Sequence, residues 1–406
     1  MISSTNNSNV LLLACDPVST VRVAFIGLGK RGKESINHYM YLEGVEIKII
    51  CDLNEENLFA VKNLLKKHGK KNADEYKGKE DWRKICERED IDLIYICTSR
   101  SLHAKIAVYA MKNDKHVAVE VPAANTIEEC WQIVDTAEKY RRHCIMLENC
   151  CYGRFELAVM NMRNQGLLGD IIHVEGSYIH DLRKIDFTQR PEYIDLWFME
   201  GNPYPTHGLG PLCQALNIHR GDKLSWLISA SNGQFGFPEA NENNLQKQYI
   251  LGNINTSIIK TEKQKTIVIQ HDISSPRPYK REYLVSGTKG FVQNGELPVV
   301  HLPEIKENEI AISSLLEKFE HPFYREKGEL ASRVGYHGGM DFIMDYRLIY
   351  CLQNGLPLDM DVYDAAEWSS IIELTKISVR NGSSPVIIPD FTRGAWNELN
   401  KLEFAL

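Results

Sequence analysis

The stretch Asn202–Pro211 reads NPYPTHGLGP. Tyr204 and His207 are the side chains in it that can move protons. A histidine exchanges a proton near neutral pH. A phenol does so when its neighbours lower its pKa. Three prolines and two glycines frame the pair, and such residues fix or release backbone angles. The plain alternative is a histidine that merely starts a helix in THGLGPLCQAL. The density of special residues favours a site.

A second motif binds rather than reacts. GLGKRG (Gly27–Gly32) has the spacing G-x-G-x-x-G. It follows an apolar run, Val21–Gly29, and precedes a helical pattern expected from Lys33 to Leu42. Asp52 stands twenty residues beyond Gly32, closing a second apolar run, Val45–Asp52. This is the dinucleotide-binding fingerprint in its required context. Gly27 permits the tight turn, Gly29 lets backbone approach a pyrophosphate, and Gly32 allows close helix–strand packing. The helix start offers donors and dipole to phosphate. Asp52 would accept from ribose hydroxyls and repel a 2′-phosphate, and Leu53 is not basic, so NAD is expected rather than NADP. Lys30 and Arg31 lie where either can reach phosphate.

The elements that hold these motifs alternate. Further strands are read at Ile91–Ser99, Lys115–Pro122 and His143–Asn149, with helices at Ala104–Lys112 and Thr126–Tyr140. Such alternation predicts right-handed crossovers and a parallel sheet. Ligands then sit beyond the carboxyl ends of the strands. Thr98–His103, containing Arg100, Ser101, Leu102 and His103, would line the cofactor. Glu120 would meet the nicotinamide ribose or the substrate, and Asn149 would project toward the nicotinamide. Loop capping is the competing account of Ser101 and Asn149.

After Asn149 the pattern changes. Residues 154–166 look helical, and then period-two runs appear at Asp170–Leu182, Gln246–Thr261, Lys265–Ile273 and Arg281–Asn294. Gly287–Gly290 reads as a turn between two strands. Helical patterning returns from about Tyr336. The reading is an α/β protein: a Rossmann dinucleotide-binding domain over 1–150, then an α+β domain over 151–406. The second domain is expected to have an open, largely antiparallel sheet, with its last helices free to pack back on the first domain.

Composition sets outer limits. The 406 residues are 43% hydrophobic and 25% charged, with net charge −7. An acidic chain argues against a nucleic-acid partner, and the basic run Lys66–Lys71 reads as a solvated helix end. Ten cysteines are scattered. Cys51, Cys97 and Cys144 read as small buried residues, and no disulfide framework is indicated. Reduced thiols fit a cytoplasmic location and leave a periplasmic one open. Leu12–Cys15 is similar to a lipoprotein signal, but basic residues before it and a long apolar run are lacking, so the segment reads as a lead-in. No membrane span is expected. His173, His180, His207, His219 and His337 show no metal-ligand spacing, so no metal is expected. His337, Asp341 and Asp345 lie one helical turn apart in succession, as capping or domain-packing residues would.

The whole arrangement resembles the glucose–fructose oxidoreductase, inositol dehydrogenase and MocA superfamily. Dehydrogenases there commonly carry Glu-Lys-Pro, the lysine assisting proton transfer, where this chain has Glu120-Val121-Pro122. With EVPAA (Glu120–Ala124), ENCCYG (Glu148–Gly153), GSYIHDLR (Gly176–Arg183), NPYPTHGLGP, SSPRPY (Ser274–Tyr279) and HGGMDF (His337–Phe342), the chain is similar to family 109 of the glycoside hydrolases. The resemblance implies NAD-dependent α-N-acetylgalactosaminidase activity on a small carbohydrate or glycan. It places Lys30, Arg31, Asp52, Arg100–His103, Glu120, Val121 and Asn149 along the cofactor. It places Tyr178, Tyr204, Pro205, Thr206, His207 and Tyr279 at the sugar. One feature departs: Trp197 is followed by Phe198, where the family carries Trp-Arg. The implied chemistry is transient oxidation at C3, elimination across C1–C2, water addition and re-reduction, without net redox. His207, Tyr204 and Tyr178 are the candidate proton-transfer and positioning groups, with base and acid left unassigned. Two alternatives are a sugar dehydrogenase with net hydride transfer and a non-catalytic nucleotide- or ligand-binding protein. An open sheet face is expected to pair with a second copy.

Overall fold

A computed structural model describes residues 9–187, 190–235, 249–295, 299–302 and 312–405. Six short strands form the first sheet: Val21–Ile26 (β1), Val45–Cys51 (β2), Asp74–Tyr76 (β3), Leu93–Ile96 (β4), His116–Val119 (β5) and Cys144–Met146 (β6). Their order is β3-β2-β1-β4-β5-β6, and every pair is parallel. β4 and β5 are buried at every position, as strands covered on both faces must be. The covering helices are Lys30–Tyr39 (α1), Glu55–Lys67 (α2), Asp81–Cys86 (α3), His103–Lys112 (α4) and Ile127–Tyr140 (α5). Strand order reverses between β1 and β4, which opens a crevice beyond their carboxyl ends.

Two details differ from the sequence expectation. α1 starts at Lys30, three residues before the predicted Lys33, because Gly29 itself takes the N-cap position. β3 went unread because it is a polar edge strand with Asp74 and Glu75 exposed, so no apolar run marks it. Cys51 and Cys144 are buried, whereas Cys97 is half-buried; it lies just past β4 beside the glycine turn.

The chain continues through Arg154–Asn164 (α6), Ile171–Ile179 (β7), Thr206–Leu216 (α7), Leu224–Ser231 (β8), Ile254–Thr261 (β9), Thr266–Asp272 (β10), Tyr283–Gly287 (β11), Phe291–Gln293 (β12) and Val299–His301 (β13). Four helices follow, Ile312–Phe319 (α8), Pro322–Val334 (α9), Met340–Asn354 (α10) and Val362–Arg380 (α11), and then Val386–Ile387 (β14). The second sheet runs β13-β12-β11-β7-β10-β9-β8-β14. It is mostly antiparallel, with one parallel pair, β7 with β10. The expected run from Gln246 begins outside the described residues, and its strand starts at Ile254. β8 was not anticipated; its serines break the apolar alternation that would reveal it.

One face of this sheet is packed by α7 and, at its β8 side, by α11. The other face carries Ile228, Ile258 and Val268 in one cross-strand row, all partly or fully exposed. α11 also lies against α5, so a single helix is a wall of both sheets. Its start is fastened by a capping box between Asp361 and Asp364, and Arg220 donates to both carboxylates. Val10 is buried, and its N–H donates to the Tyr363 hydroxyl of α11. No described helix is long and apolar enough to cross a membrane.

The glycines of THGLGP have a packing reason. A Cβ on Gly176 of β7 would meet the Gly208 carbonyl oxygen at 2.1 Å, and one on Gly208 would meet the Ser177 nitrogen at 2.9 Å. Helix and strand therefore approach to backbone contact, which sets Tyr178 beside His207. A Cβ on Gly210 would meet Glu148 Cγ at 2.9 Å. Gly208→Val is expected to cost about 1–3 kcal/mol of stability, the usual range for overpacking. It should also lower turnover by separating β7 from α7. Thermal unfolding and steady-state kinetics check it; wild-type values for both would show that the contact is dispensable.

Candidate active site

The glycine turn is built as a nucleotide cradle. Gly27 has φ +92°, and a Cβ there would strike the Cys97 carbonyl oxygen at 2.4 Å. A Cβ on Gly32 would lie 2.2 Å from the Gly27 oxygen, whereas one on Gly29 would meet nothing within 4 Å. Two glycines are thus demanded by packing, and the third faces open space at the start of α1. No side chain caps that helix, so its first N–H groups remain available to an anion. Asp52 follows directly on β2, accepting from Leu28 N at 2.6 Å and Asn54 N at 2.7 Å. An open face, a free helix start and a carboxylate at the second strand end fit a dinucleotide with an unphosphorylated ribose.

The other expected cofactor residues lie at varied depths. Lys30 is 57% exposed at its side chain and 3.8 Å from Glu34. Arg31 turns inward to Glu34, Glu120 and Asp341, so carboxylates, not solvent, hold it. Burial pushes the Glu120 carboxyl up despite Arg31 beside it. Arg100 donates to Asn125 at 2.6 Å and to the Pro203 carbonyl at 3.3 Å, which joins the β4 end to the Tyr204 segment. Burial lowers this guanidinium to about 10. Ser101 is exposed, and Leu102 and Val121 are half-buried. His103 is buried, with its ring nitrogens 2.8 Å from the Pro122 oxygen and 3.0 Å from the Thr98 oxygen. The ring therefore braces the loop from inside instead of lining the crevice. Asn149 is buried and donates to Asp341 at 2.7 Å.

The proton-transfer candidates converge. His207 Nδ1 is 2.6 Å from Glu148 Oε1, and its Nε2 is 3.4 Å from the Tyr204 hydroxyl. Burial alone would raise the Glu148 carboxyl, but the His207 ring beside it outweighs this and holds it below the usual range. Glu148 is therefore ionised at neutral pH, and an ionised carboxylate only accepts. A carboxylate facing Nδ1 favours the tautomer that carries its proton on Nδ1, and in that tautomer Nε2 can accept. The Tyr178 ring packs 4.8 Å from Tyr204 and 5.7 Å from His207, centroid to centroid. Pro205 caps α7, and Thr206 is buried at its first position. Tyr279 is 56% exposed at the rim, its ring 5.1 Å from His180.

The condition under which a phenol would act as a base, a pKa lowered by its neighbours, is not met at Tyr178 or Tyr204. Burial, reinforced by neighbouring tyrosines, pushes Tyr178 and Tyr204 well up. Both phenols are therefore held toward their protonated forms.

Several residues of the site were not singled out from the sequence. Glu148 was read only as part of ENCCYG. His180 bonds the Tyr178 hydroxyl at 3.1 Å. His271 lies buried under Tyr178, rings stacked at 6.2 Å, and burial lowers it to about 3, so it is neutral. At the departure from the Trp-Arg pair, Trp197 is buried and Phe198 packs with Tyr249. Glu148, Cys150 and His207 place ligand atoms within 4.8 Å of one another, as do His219, Asp361 and Asp364. The 2.6 Å bond within the first set is shorter than the spacing of about 3 Å between two donors sharing an ion at about 2 Å. In the second set Arg220 already occupies the carboxylates.

Comparisons with known proteins match two family models along the chain. Residues 21–147 match the oxidoreductase family with an NAD-binding Rossmann fold. Residues 152–196 and 195–398 match the C-terminal domain of glycosyl hydrolase 109. The fold and site together define a glycosidase built on an NAD-binding oxidoreductase scaffold. A levoglucosan dehydrogenase solved with NADH and levoglucosan shares the fold at TM-score 0.68 and 17% identity, over 91% of this chain and all of that one. Curated relatives include an alpha-N-acetylgalactosaminidase of Bacteroides fragilis, 49% identical over 98% of both chains. A glycosyl hydrolase family 109 protein of Phocaeicola vulgatus is 49% identical over 96% of this chain and 99% of its own. The chain belongs to glycosyl hydrolase family 109.

Proposed function

We propose that this enzyme is an α-N-acetylgalactosaminidase that keeps NAD bound through each turnover. The observation that carries the reading is His207, set by buried Glu148 at 2.6 Å and offering Nε2 toward Tyr204 and Tyr178. When bound, NAD supplies a reversible hydride acceptor for the sugar C3. His207 Nε2 takes the proton from the sugar at C3–OH or C2. Glu148 holds the Nδ1 proton and stabilises the imidazolium that forms. Tyr204, its phenol held protonated by burial, donates to the oxygen that gains charge. Tyr178 packs against both and sets the ring position. Val121 offers no proton-transfer group where a net dehydrogenase of this fold uses lysine, which favours a redox-neutral cycle. The named activity of the Bacteroides fragilis relative supports the sugar assignment.

The test follows two signals at once. The protein is incubated with an aryl α-N-acetylgalactosaminide, and separately with free sugars plus NAD⁺, while aryl alcohol and NADH absorbance are recorded. Aryl alcohol without lasting NADH is expected. Accumulating NADH would make it a dehydrogenase, and neither signal, with nucleotide bound, would make it a binding protein.

A further inference from the structure

The start of α10 reaches the nucleotide crevice from the far end of the chain. Asp341 lies 310 residues after Arg31 and is 1% exposed. Its Oδ1 accepts from Arg31 at 3.0 Å and from Asn149 at 2.7 Å. Its Oδ2 is 2.7 Å from His337 Nδ1. Burial would raise this carboxyl, but His337 and Arg31 outweigh it and hold it far down. Arg31 lies in the first turn of α1, just past the glycine turn after β1, and Asn149 follows β6. One buried carboxylate thus ties the two walls of the crevice together.

The turn that delivers Asp341 is built for it. His337, Gly338 and Gly339 take φ values of +51°, +72° and +97° in succession. A left-handed conformation costs a histidine about 1–2 kcal/mol. A Cβ at Gly339 would lie 2.8 Å from the Ala331 carbonyl carbon. One turn further along α10, Asp345 is 2.8 Å from His38 of α1 and accepts from Tyr95 of β4 at 2.8 Å. The helix is therefore anchored to the nucleotide-binding sheet before it presents Asp341.

We propose that Asp341 is a positioning residue that locks the nucleotide in place, by holding Arg31 and Asn149 together across the crevice. The inference rests on the redox-neutral reading, in which the nucleotide that leaves the first hydride step must still be present at the last. Release then has to be slower than turnover. A glycine turn alone is open on the Gly29 side, and joining its rim to the opposite wall supplies the missing restraint. His337 assists by holding the second carboxylate oxygen.

The test is the rate of nucleotide release. NAD-loaded protein is mixed with excess etheno-NAD, and exchange is followed by fluorescence for wild type, Asp341→Asn, Arg31→Met and the double variant. Asp341→Asn is expected to raise the release rate tenfold or more, with the KM for an aryl glycoside unchanged. Because the two residues share the Arg31–Asp341 bond, the double variant is expected to raise it by less than the product of the two single effects. A release rate within twofold of wild type in a folded Asp341→Asn protein overturns the proposal, as do additive effects in the double variant. His337→Ala changes a side chain that is 53% exposed and keeps the test open if Asp341→Asn does not fold. It is expected to raise the rate about threefold, and no change there overturns the proposal as well. A wild-type protein that binds no nucleotide would refute the cofactor reading and the lock with it.

Discussion

Glu148→Gln is expected to lower turnover of an aryl α-N-acetylgalactosaminide by about 10²–10⁴, the range associated with a positioned acid–base group. Glutamine has the volume of glutamate and can still reach His207 Nδ1. It can do so as a donor, however, which moves the ring proton to Nε2. The nitrogen that should accept from the sugar then carries a proton already. The charge that would stabilise the imidazolium is lost as well. The substitution is nearly isosteric at a fully buried position, so the fold should survive, and unfolding temperature separates a chemical effect from a structural one. Turnover within threefold of wild type would remove Glu148 from the mechanism. Nucleotide content is expected to stay at the wild-type level, because Glu148 faces α7 and not the glycine turn.

Gly29→Val should act on the opposite half of the site. Its Cβ would project into open space at the start of α1, where a pyrophosphate must come close to backbone. The added side chain strains nothing in the protein alone, so nucleotide-free unfolding temperature should be unchanged. Nucleotide affinity is expected to fall by more than about 100-fold, which corresponds to roughly 2.7 kcal/mol. The measurement is NAD released from purified protein, with calorimetric titration of the stripped form. Gly27→Val is the contrasting case. There the Cβ would overlap the Cys97 carbonyl oxygen and φ is positive, so fold and nucleotide should fail together. A Gly29→Val protein with wild-type NAD affinity would show that the cofactor does not lie across this turn.

The cofactor half of the site is legible because its signals are local. A strand, a tight turn, a helix start and an acid at the next strand end lie within Val21–Asp52, and each leaves its own residue type in the chain. The proton-transfer half is legible only in part. Pro and Gly around Tyr204 and His207 mark an aimed segment, but nothing beside it names Glu148, 59 residues earlier. The pKa direction of the tyrosines is not legible for the same reason: burial, which raises them, is a property of packing. The HGGMDF motif stands out as sequence, yet two partners of Asp341 come from the segments after β1 and β6, far back in the chain.

Sequence alone determined the α/β class, the parallel nucleotide-binding sheet and the NAD-binding turn, and it marked His207 as a candidate. These follow from periodicity, turn chemistry and fixed spacing, which depend on neighbours along the chain. Tertiary structure alone decided that His207 is set by Glu148, that Tyr178 and Tyr204 keep their protons, and that Asp341 spans the crevice. Those outcomes depend on how closely β7 and α7 approach at Gly176 and Gly208 and on where α10 meets α1. Contacts between residues tens to hundreds of positions apart are chosen by packing, and packing leaves no period in the sequence to read.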